Sequence, residues 1–499
     1  MNLRMPTPEE IHAAYKEGEE AVVELFGHVG AQMEALAKQL EKQAESLKEL
    51  QARLEKNSSN SNKPPSSDGY TKPEAKRRTE SLRESGQKSN GGQPGHEGHT
   101  LEPSQTPQHT EVHKVKKCQR CGKSLKDVQV MGHEERQVFD IPAMRIEVTA
   151  HPAEIPICPH CGAENRGEFP DGVTQPVQYG SGVKTWATYF PNQHYVSVER
   201  TAQIFEDLVE HRLCEATILK SGEELTEQVG AAEEAVKEQL RQTEVINTDE
   251  SGMRVKGKLH WLHVASNEKL THYQIHAKRG KEAMDEAGIL PNFTGTMMHD
   301  HWKPYFGYEA CSHALCNIHH LRELKFIEKQ YDQAWAADMA ALLLEIKHVV
   351  EQTAKQASCL PSKQLKEFER RYARIVNKGY EANPRPAPQE NGDKPTKRGR
   401  PKQTPALNLL DRFRDFKPQV LAFMYDFRVP FGNNQGEQDV RMMKVKQKVS
   451  GSFRTVEGAG RFARIRGYIS TARKNAVNAF DAIKNAFDGK PFIPSAEIE

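Results

Sequence analysis

Three acidic residues, far apart along the chain, lie where the sequence predicts the ends of secondary-structure elements. Asp249 closes a predicted strand over residues 245–248, and Asp300 closes another over residues 295–299. Carboxylates at the ends of neighbouring strands can share a divalent cation, and oxygen ligands favour Mg²⁺ or Mn²⁺. Glu437 begins a predicted helix. Acidic residues at strand ends also occur without a metal, so the two aspartates alone do not establish a metal site.

The helix that begins at Glu437 carries further charges at helical spacing. Arg441, Lys444 and Lys448 follow on the same face, which therefore presents one carboxylate and three cations. Between Glu437 and Lys474 there are ten basic and three acidic residues, an excess of +7. Such an excess is typical of a surface that binds a polyanion. The structural alternative is a surface ion pair between Glu437 and Arg441.

Two Cys-x-x-Cys pairs, Cys118/Cys121 and Cys158/Cys161, are each followed by a glycine. Two thiolates in a knuckle turn can reach one tetrahedral Zn²⁺, and the glycine permits the positive φ of the turn. Four thiolates leave no open position, so the sequence predicts a structural Zn²⁺ with short strands between the pairs. A redox role is the alternative.

A second set of metal-ligand types is Cys311, Cys316 and His319. No fourth ligand is evident in the sequence, and a packed, hydrogen-bonded histidine is the alternative. The Arg398-Gly399-Arg400-Pro401 segment has the composition of an arm that enters the DNA minor groove, and also that of an ordinary linker.

The elements that must position these residues divide the chain into eight segments. In chain order, the predicted segments are a coiled-coil helix (1–56), a disordered basic linker (57–104), a zinc-binding module (105–178) and a helical, helix-turn-helix-like domain (179–240). They are followed by the first part of an α/β core (241–330), a helical insertion with a basic Pro-rich loop (331–430), the C-terminal helices of the core (431–488) and a tail (489–499).

The first and fourth segments are predicted from helical periodicity. Apolar residues from Val22 to Leu54 recur every three or four positions, which favours self-association through a coiled coil over packing within the chain. Helical patterns at 199–209 and 216–229 fit a helix-turn-helix that reads DNA, or a plain helical hairpin.

Composition excludes several classes of protein. The chain has 499 residues, with 70 Lys and Arg against 68 Asp and Glu and a net charge of +2. No apolar run approaches the roughly 20 residues of a membrane span, and the first 20 residues lack the hydrophobic core of a signal peptide. We expect a cytoplasmic protein.

Four segments together resemble the motif series of bacterial DDE transposases of the insertion sequence 66 family. They are Thr248-Asp249-Glu250-Ser251-Gly252, His299-Asp300-His301-Trp302-Lys303-Pro304-Tyr305, Cys316-x-x-His319-His320-Leu321-Arg322-Glu323-Leu324 and Asn433-Asn434-x-x-Glu437-x-x-x-Arg441. The resemblance implies an RNase H-like core interrupted by a helical insertion, with Asp249, Asp300 and Glu437 as the acidic triad. It also implies a role near the active site for His319 and Arg322, in contact with DNA phosphate or with the surroundings of the metal.

The resulting prediction is a Mg²⁺-dependent transposase that cuts and joins the ends of an insertion sequence. We expect double-stranded DNA as partner, a homo-oligomer, companion proteins of the same element and association with the nucleoid. The alternatives are an inactive DNA-binding regulator derived from a transposase, and a nuclease that hydrolyses DNA without joining it.

Overall fold

The computed structural model describes residues 5–55, 101–385 and 403–495. They divide into two compact units. The first contains residues 5–55, 171–203, 213–385 and 403–495, and the second contains residues 101–170 and 204–212. Most of the predicted linker, and both Arg398 and Arg400, lie outside the described residues. None of the described helices combines the length and apolar character that a membrane span requires.

Two helices begin the first unit, α1 (Pro8–Glu17) and α2 (Glu19–Glu55). Apolar side chains recur along α2 and are mostly exposed: Phe26 by 69%, Met33 by 59% and Leu40 by 57%. The long N-terminal helix is as predicted. An apolar stripe of this length has the pattern that pairs with a second helix, and that pairing stays a prediction.

Each cysteine pair of the second unit lies in a tight turn. The Cys118 N–H donates to the Lys123 carbonyl at 2.9 Å, and the Cys158 N–H donates to the Ala163 carbonyl at 2.8 Å. The glycines that follow, Gly122 and Gly162, have φ angles of 72° and 74°. Both glycines therefore adopt the left-handed conformation that the sequence predicts.

The short strands predicted between the cysteine pairs are wrong. Residues 125–156 contain no strand, and the side chains of Val138, Ile141 and Val148 are 89%, 78% and 91% exposed. The residues alternate as in a strand, but an extended segment is held as a strand only by hydrogen bonds to a neighbour. Each knuckle has only one isolated bridge, Lys117 to Ser124 and Ile157 to Glu164.

Four helices precede the sheet along the chain. They are α3 (Ser181–Gln193), α4 (Val198–Val209), α5 (Glu215–Gln228) and α6 (Gly230–Gln242). The two predicted helices at 199–209 and 216–229 correspond to α4 and α5. Leu225 of α5 is fully buried in a cluster with Ile469 and Ile483 near the C-terminus, so the buried face of α5 packs against the C-terminal helices.

A five-stranded mixed sheet forms the centre of the first unit. Its strands are β1 (Val245–Val255), β2 (Lys258–Ser266), β3 (Thr271–His276), β4 (Thr296–His299) and β5 (Ser312–Leu315). The order is β3-β2-β1-β4-β5; β1 to β3 are antiparallel neighbours, and β4 and β5 run parallel to β1. Lys256 and Gly257, with φ of 50° and 73°, form the two-residue turn between β1 and β2, as in a type I′ hairpin.

Helices complete the first unit. The short helix α7 (Lys281–Glu286) lies between β3 and β4. After β5 come α8 (Asn317–Tyr331), α9 (Ala334–Thr353), α10 (Ser362–Ala382), α11 (Pro405–Asp415), α12 (Lys417–Val420) and α13 (Ala422–Tyr425). They are followed by α14 (Asn434–Ser450), α15 (Val456–Lys474) and α16 (Ala479–Phe487). Met443 of α14 and Phe462 of α15 pack with Leu262 and Val264 of β2, so these two helices cover one face of the sheet.

Candidate active site

The strands β1 and β4 bring Asp249 and Asp300 side by side. The two strands are parallel, and their pairing ends where Asn247 lies opposite Met298. Asp249 and Asp300 each lie two residues further on, at equivalent positions of the register. The prediction that Asp300 closes a strand is confirmed, because β4 ends at His299.

The prediction that Asp249 closes a strand is wrong. β1 continues to Val255, because residues 247–255 of β1 pair with β2 on the other side. The pairing of β1 with β4 ends before Asp249, whereas the pairing of β1 with β2 continues past it. Asp249 therefore lies within a strand, at the point where one of its two neighbours stops.

The two aspartates are destabilised as anions by their surroundings. Burial raises the pKa of Asp249 well above its ordinary value, and the charges of Glu250, Asp300 and Glu437 raise it further. Burial and the charge of Glu250 raise the pKa of Asp300 to about 7, against the effect of the Trp302 N–H, which donates to Asp300 Oδ1 at 3.1 Å. The charges of Asp300 and Glu437 thus act on Asp249, although among the described residues the three acids do not form a group whose ligand atoms all lie within 4.8 Å of one another.

Glu437 is positioned by a buried asparagine, Asn433, which precedes α14. The Asn433 side-chain amide donates to the Thr248 carbonyl at 2.8 Å, and its oxygen accepts a hydrogen bond of 2.8 Å from Asn247. Gly436 allows this arrangement, since a Cβ atom there would lie 2.9 Å from the Asn433 oxygen. One side chain thus joins the start of α14 to β1, directly before Asp249.

Cys316, His319 and Glu437 form a compact group. Among the described residues, it is the one set of three or more Cys, His, Asp or Glu whose ligand atoms all lie within 4.8 Å of one another. His319 Nδ1 is 3.7 Å from Glu437 Oε1, and Arg322 is 3.5 Å from Glu437 Oε2. Burial lowers the pKa of His319 to about 3, and burial raises the pKa of Cys316 to about 11.

This group corrects the metal-ligand set considered from the sequence. Cys311 is not part of it, because its Sγ donates to the Tyr308 carbonyl at 3.2 Å. Glu437, which is remote in sequence, is the third member of the group with Cys316 and His319, in place of Cys311. The tertiary structure therefore supplies the ligand that was missing from the sequence pattern.

The structure does not gather the four knuckle cysteines into the single metal site that the sequence predicts. In the part of the chain that the structure describes, Cys118, Cys121, Cys158 and Cys161 form no disulfide bond. No three of their sulfur atoms lie within 4.8 Å of one another. Cys121 and Cys161 are exposed, whereas Cys118 and Cys158 are half-buried. The physical reason is that each knuckle closes through hydrogen bonds within its own turn.

Each knuckle nevertheless has the electrostatics of a thiolate ligand. Backbone hydrogen bonds from Cys121 and Arg120 lower the pKa of Cys118, and those from His160 and Cys161 lower the pKa of Cys158. A lowered pKa favours the thiolate that a metal needs. The four-cysteine Zn²⁺ site therefore stays a prediction, and the structure presents its two halves as separate turns.

Glu250 has a role that the sequence reasoning missed. Side chains alternate along a strand, so Glu250 faces away from its neighbour Asp249. Its buried carboxylate accepts hydrogen bonds from Arg279 at 3.0 and 2.5 Å and from the Tyr305 hydroxyl at 2.7 Å. The Arg279 guanidinium lies 4.3 Å from the ring centroid of Trp302. The tryptophan and tyrosine of the motif at 299–305 were the signal for this support.

The basic excess near Glu437 is mostly used inside the protein. Six of the ten basic side chains bond to the chain itself: Lys444 to the Gly252 carbonyl, Lys446 to the Gly451 carbonyl, Arg461 to Glu223, Arg464 to Glu233, Arg466 to Gln193 and Lys474 to Asp439. Arg441 and Lys448 are exposed on α14. The count of +7 therefore overstates the charge available to a polyanion.

The predicted helix pair carries the opposite charge. On α5 four glutamates, at 215, 223, 224 and 227, stand against Lys220. On α4, Glu199, Glu206 and Asp207 stand against Arg200. Glu223, Glu224 and Glu206 are paired with Arg461, Lys184 and Arg212, so the acidic charge that remains to repel phosphates is smaller than this count.

The fold and the site define an α/β protein whose sheet gathers carboxylates of the kind that bind divalent cations. The family model described as Transposase IS66 family matches residues 176–461. The chain therefore belongs to the IS66 family of transposases, a class of enzymes that act on DNA. Residues 5–102 match a second family, described as a family of unknown function (DUF6444). No curated protein matches the chain.

Proposed function

We propose that this transposase cleaves the ends of an insertion sequence and joins them to target DNA, with Asp249, Asp300 and Glu437 as the ligands of two Mg²⁺ ions. The observation that carries the proposal is the alignment of Asp249 and Asp300 at equivalent positions of two parallel strands, together with the charges of Asp300 and Glu437 that raise the pKa of Asp249. Buried acids of like charge cost stability, and a divalent cation between them removes that cost. Their oxygen ligands fit Mg²⁺ or Mn²⁺.

The bound ions would activate the attacking hydroxyl and stabilise the leaving oxygen of the phosphodiester. The residues of the chain hold the carboxylates in place for this chemistry. Asn433 fixes Glu437 beside β1. The Trp302 N–H orients Asp300, and Asp249, whose pKa is raised by the charges of both other acids, would be the residue to contact both ions.

The proposed core is RNase H-like. Its support is the mixed sheet, with an antiparallel arm β1-β2-β3 and two parallel strands beside β1. The helices α9 to α13 would form the helical insertion that the family resemblance implies, predicted over residues 331–430. We propose the domain boundaries of the sequence analysis on the same basis.

For DNA contact we favour Arg441 and Lys448, whose exposed cations lie on the helix that carries Glu437. Arg322 contacts Glu437 and can reach a phosphate beside it. Lys444 contributes less, because its ammonium is already bonded to the Gly252 carbonyl. Arg398 and Arg400 stay proposals from the sequence. The acidic surfaces of α4 and α5 disfavour DNA reading by that pair.

A homo-oligomer formed through a coiled coil is a further proposal. Its support is the exposed apolar stripe of α2, which includes Phe26, Met33 and Leu40. A helix of this length with an apolar seam buries that seam when it pairs with a second copy.

A structural Zn²⁺ held by Cys118, Cys121, Cys158 and Cys161 is also proposed. Its support is the pair of knuckle turns and the lowered pKa values of Cys118 and Cys158. The proposal requires the two knuckles to approach each other when the ion binds. Removal of zinc should loosen residues 105–178 and leave Mg²⁺ binding at the acidic triad intact.

An assay of strand joining tests the catalytic proposal. Asp249→Asn, Asp300→Asn and Glu437→Gln should each lower Mg²⁺-dependent joining by more than about 100-fold, since even outer partners of metal ligands are worth 10–100-fold. DNA binding should survive. Glu457→Gln, in the first turn of α15, is the matched control and should retain activity. Joining by any of the three variants at the wild-type rate would exclude the assignment.

The same assay separates the alternatives. A nuclease would cut the element ends in Mg²⁺ without producing joined strands. An inactive regulator would bind the ends and neither cut nor join. The presence of all three acids in one region of the structure favours the transposase over the regulator.

A further inference from the structure

The group formed by Cys316, His319 and Glu437 has unused ligand atoms. His319 Nδ1 and Glu437 Oε1 are both buried and have no hydrogen-bond partner, although they lie 3.7 Å apart. A buried polar atom without a partner costs free energy, and two such atoms facing each other call for a shared partner. The Cys316 sulfur is the third atom, within 4.8 Å of both.

The spacing of these atoms suits a single ion. Zinc ligands lie at 2.0–2.3 Å from the metal, so two ligands of a tetrahedral ion are about 3.3–3.8 Å apart. The 3.7 Å between His319 Nδ1 and Glu437 Oε1 lies just above the roughly 3.3–3.5 Å that such geometry gives for one nitrogen and one oxygen ligand. One sulfur, one nitrogen and one oxygen form a donor set that favours Zn²⁺ over Mg²⁺, which prefers six oxygens.

Two elements hold the group in place. Cys316 and His319 lie at the start of α8, and Glu437 lies in the first turn of α14. The Asn433 N–H donates to the Cys316 sulfur at 3.1 Å, a bond that also orients and stabilises a metal-bound thiolate. Gly432 lets the two segments approach, since a Cβ there would lie 2.5 Å from Ile318.

We propose that Cys316, His319 and Glu437 bind one thiophilic divalent cation such as Zn²⁺, at a site separate from the four knuckle cysteines. Binding releases the thiol proton of Cys316 to solvent, so that thiolate, carboxylate and Zn²⁺ together are neutral. The site shares Glu437 with the acidic triad. Zn²⁺ bound there occupies Glu437 Oε1 and competes with Mg²⁺ for this residue, and this consequence rests on the proposed function.

The zinc content of the full-length protein tests the site directly. The protein is equilibrated with buffered free Zn²⁺, and bound zinc per chain is measured by atomic emission. Cys316→Ser should bind one zinc fewer than the wild type. Cys311→Ser is the matched control, a buried thiol five residues away whose sulfur bonds to a carbonyl, and should bind as much as the wild type. Equal zinc in the Cys316→Ser variant and the wild type would overturn the site.

A second variant covers the case in which Cys316→Ser does not fold, as judged by circular dichroism. Glu437→Gln keeps the size of the side chain and removes its charge, so its affinity for zinc at this site should fall at least tenfold in competition with a chromophoric chelator. An unchanged affinity would count against the site.

The competition is tested separately, by strand joining in Mg²⁺ with increasing Zn²⁺. Half-inhibition of Cys316→Ser should require at least ten times more Zn²⁺ than half-inhibition of the wild type. If the same concentration of Zn²⁺ half-inhibits both the wild type and Cys316→Ser, the proposed competition between Zn²⁺ and Mg²⁺ is wrong. If the wild-type protein itself does not join DNA, the proposed function fails, and the zinc content still decides whether the site exists.

Discussion

Replacing Asp300 by asparagine should stabilise the metal-free protein at pH 8. Burial and the charge of Glu250 raise the pKa of Asp300 from 3.8 to about 7 in the folded protein. A carboxyl group with a raised pKa binds its proton more tightly when folded, so its contribution to stability falls as the pH rises from about 4 to about 7. Above that range the full cost of the buried charge is present.

The magnitude follows from the pKa difference. At 1.36 kcal/mol per pKa unit, the rise corresponds to roughly 4 kcal/mol. Asp300 is only half-buried and solvent screens part of its charge, so we expect Asp300→Asn to gain about 1–3 kcal/mol in the free energy of unfolding at pH 8. Asparagine keeps an oxygen for the Trp302 N–H, so this hydrogen bond survives the removal of the charge.

Urea unfolding in the presence of a chelator measures this effect. The gain at pH 5 should be less than half of the gain at pH 8, because the wild-type carboxyl is protonated in the folded state at the lower pH. The control is Asp439→Asn. Asp439 accepts from Lys474 at 2.8 Å in a largely buried pair, so its loss should destabilise the protein. A loss of stability in Asp300→Asn at pH 8, or a gain independent of pH, would refute the reasoning.

Further predictions concern the metal, the DNA surface and assembly. Mg²⁺ should raise the melting temperature more at pH 8 than at pH 6, because binding requires ionised Asp300; an equal rise at both pH values would contradict this. Arg441→Gln should lower the salt dependence of DNA binding by about one phosphate contact, whereas Lys444→Gln should chiefly lower thermal stability. The reverse pattern would contradict the assignment of Arg441 to DNA contact and of Lys444 to stability. Leu40→Asp in the apolar stripe of α2 should reduce the molecular mass measured by light scattering. An unchanged mass would exclude the proposed coiled coil.

The sequence predicted most elements of the α/β core because their signals are local. The strand predicted over residues 295–299 occurs as β4, Thr296–His299. β1 was predicted too short, since nothing local marks a pairing that changes from two neighbours to one within a strand. Apolar alternation between the cysteine pairs predicted strands that lack partners, because alternation describes side chains and not hydrogen bonds.

The candidate site was only partly predictable for the same reason. Asp300 and Glu437 stand at the starts or ends of elements, where sequence patterns are informative. The buried support of Glu250 by Arg279 and Tyr305 joins residues that are far apart in sequence. The ten basic residues after Glu437 could be counted from the sequence, but which of them bond internally depends on the neighbours that folding supplies.

By itself the sequence determined the chemical types and the local geometry. It determined the knuckle turns with their glycines, the long N-terminal helix, and which acids could bind a metal, since each depends on residues a few positions apart. Only the tertiary structure decided that β1 and β4 run side by side so that Asp249 and Asp300 align, and that Asn433 holds Glu437 against β1. It also decided that Glu437, rather than Cys311, joins Cys316 and His319. The physical reason is that these contacts depend on strand register and helix packing, which link segments more than a hundred residues apart.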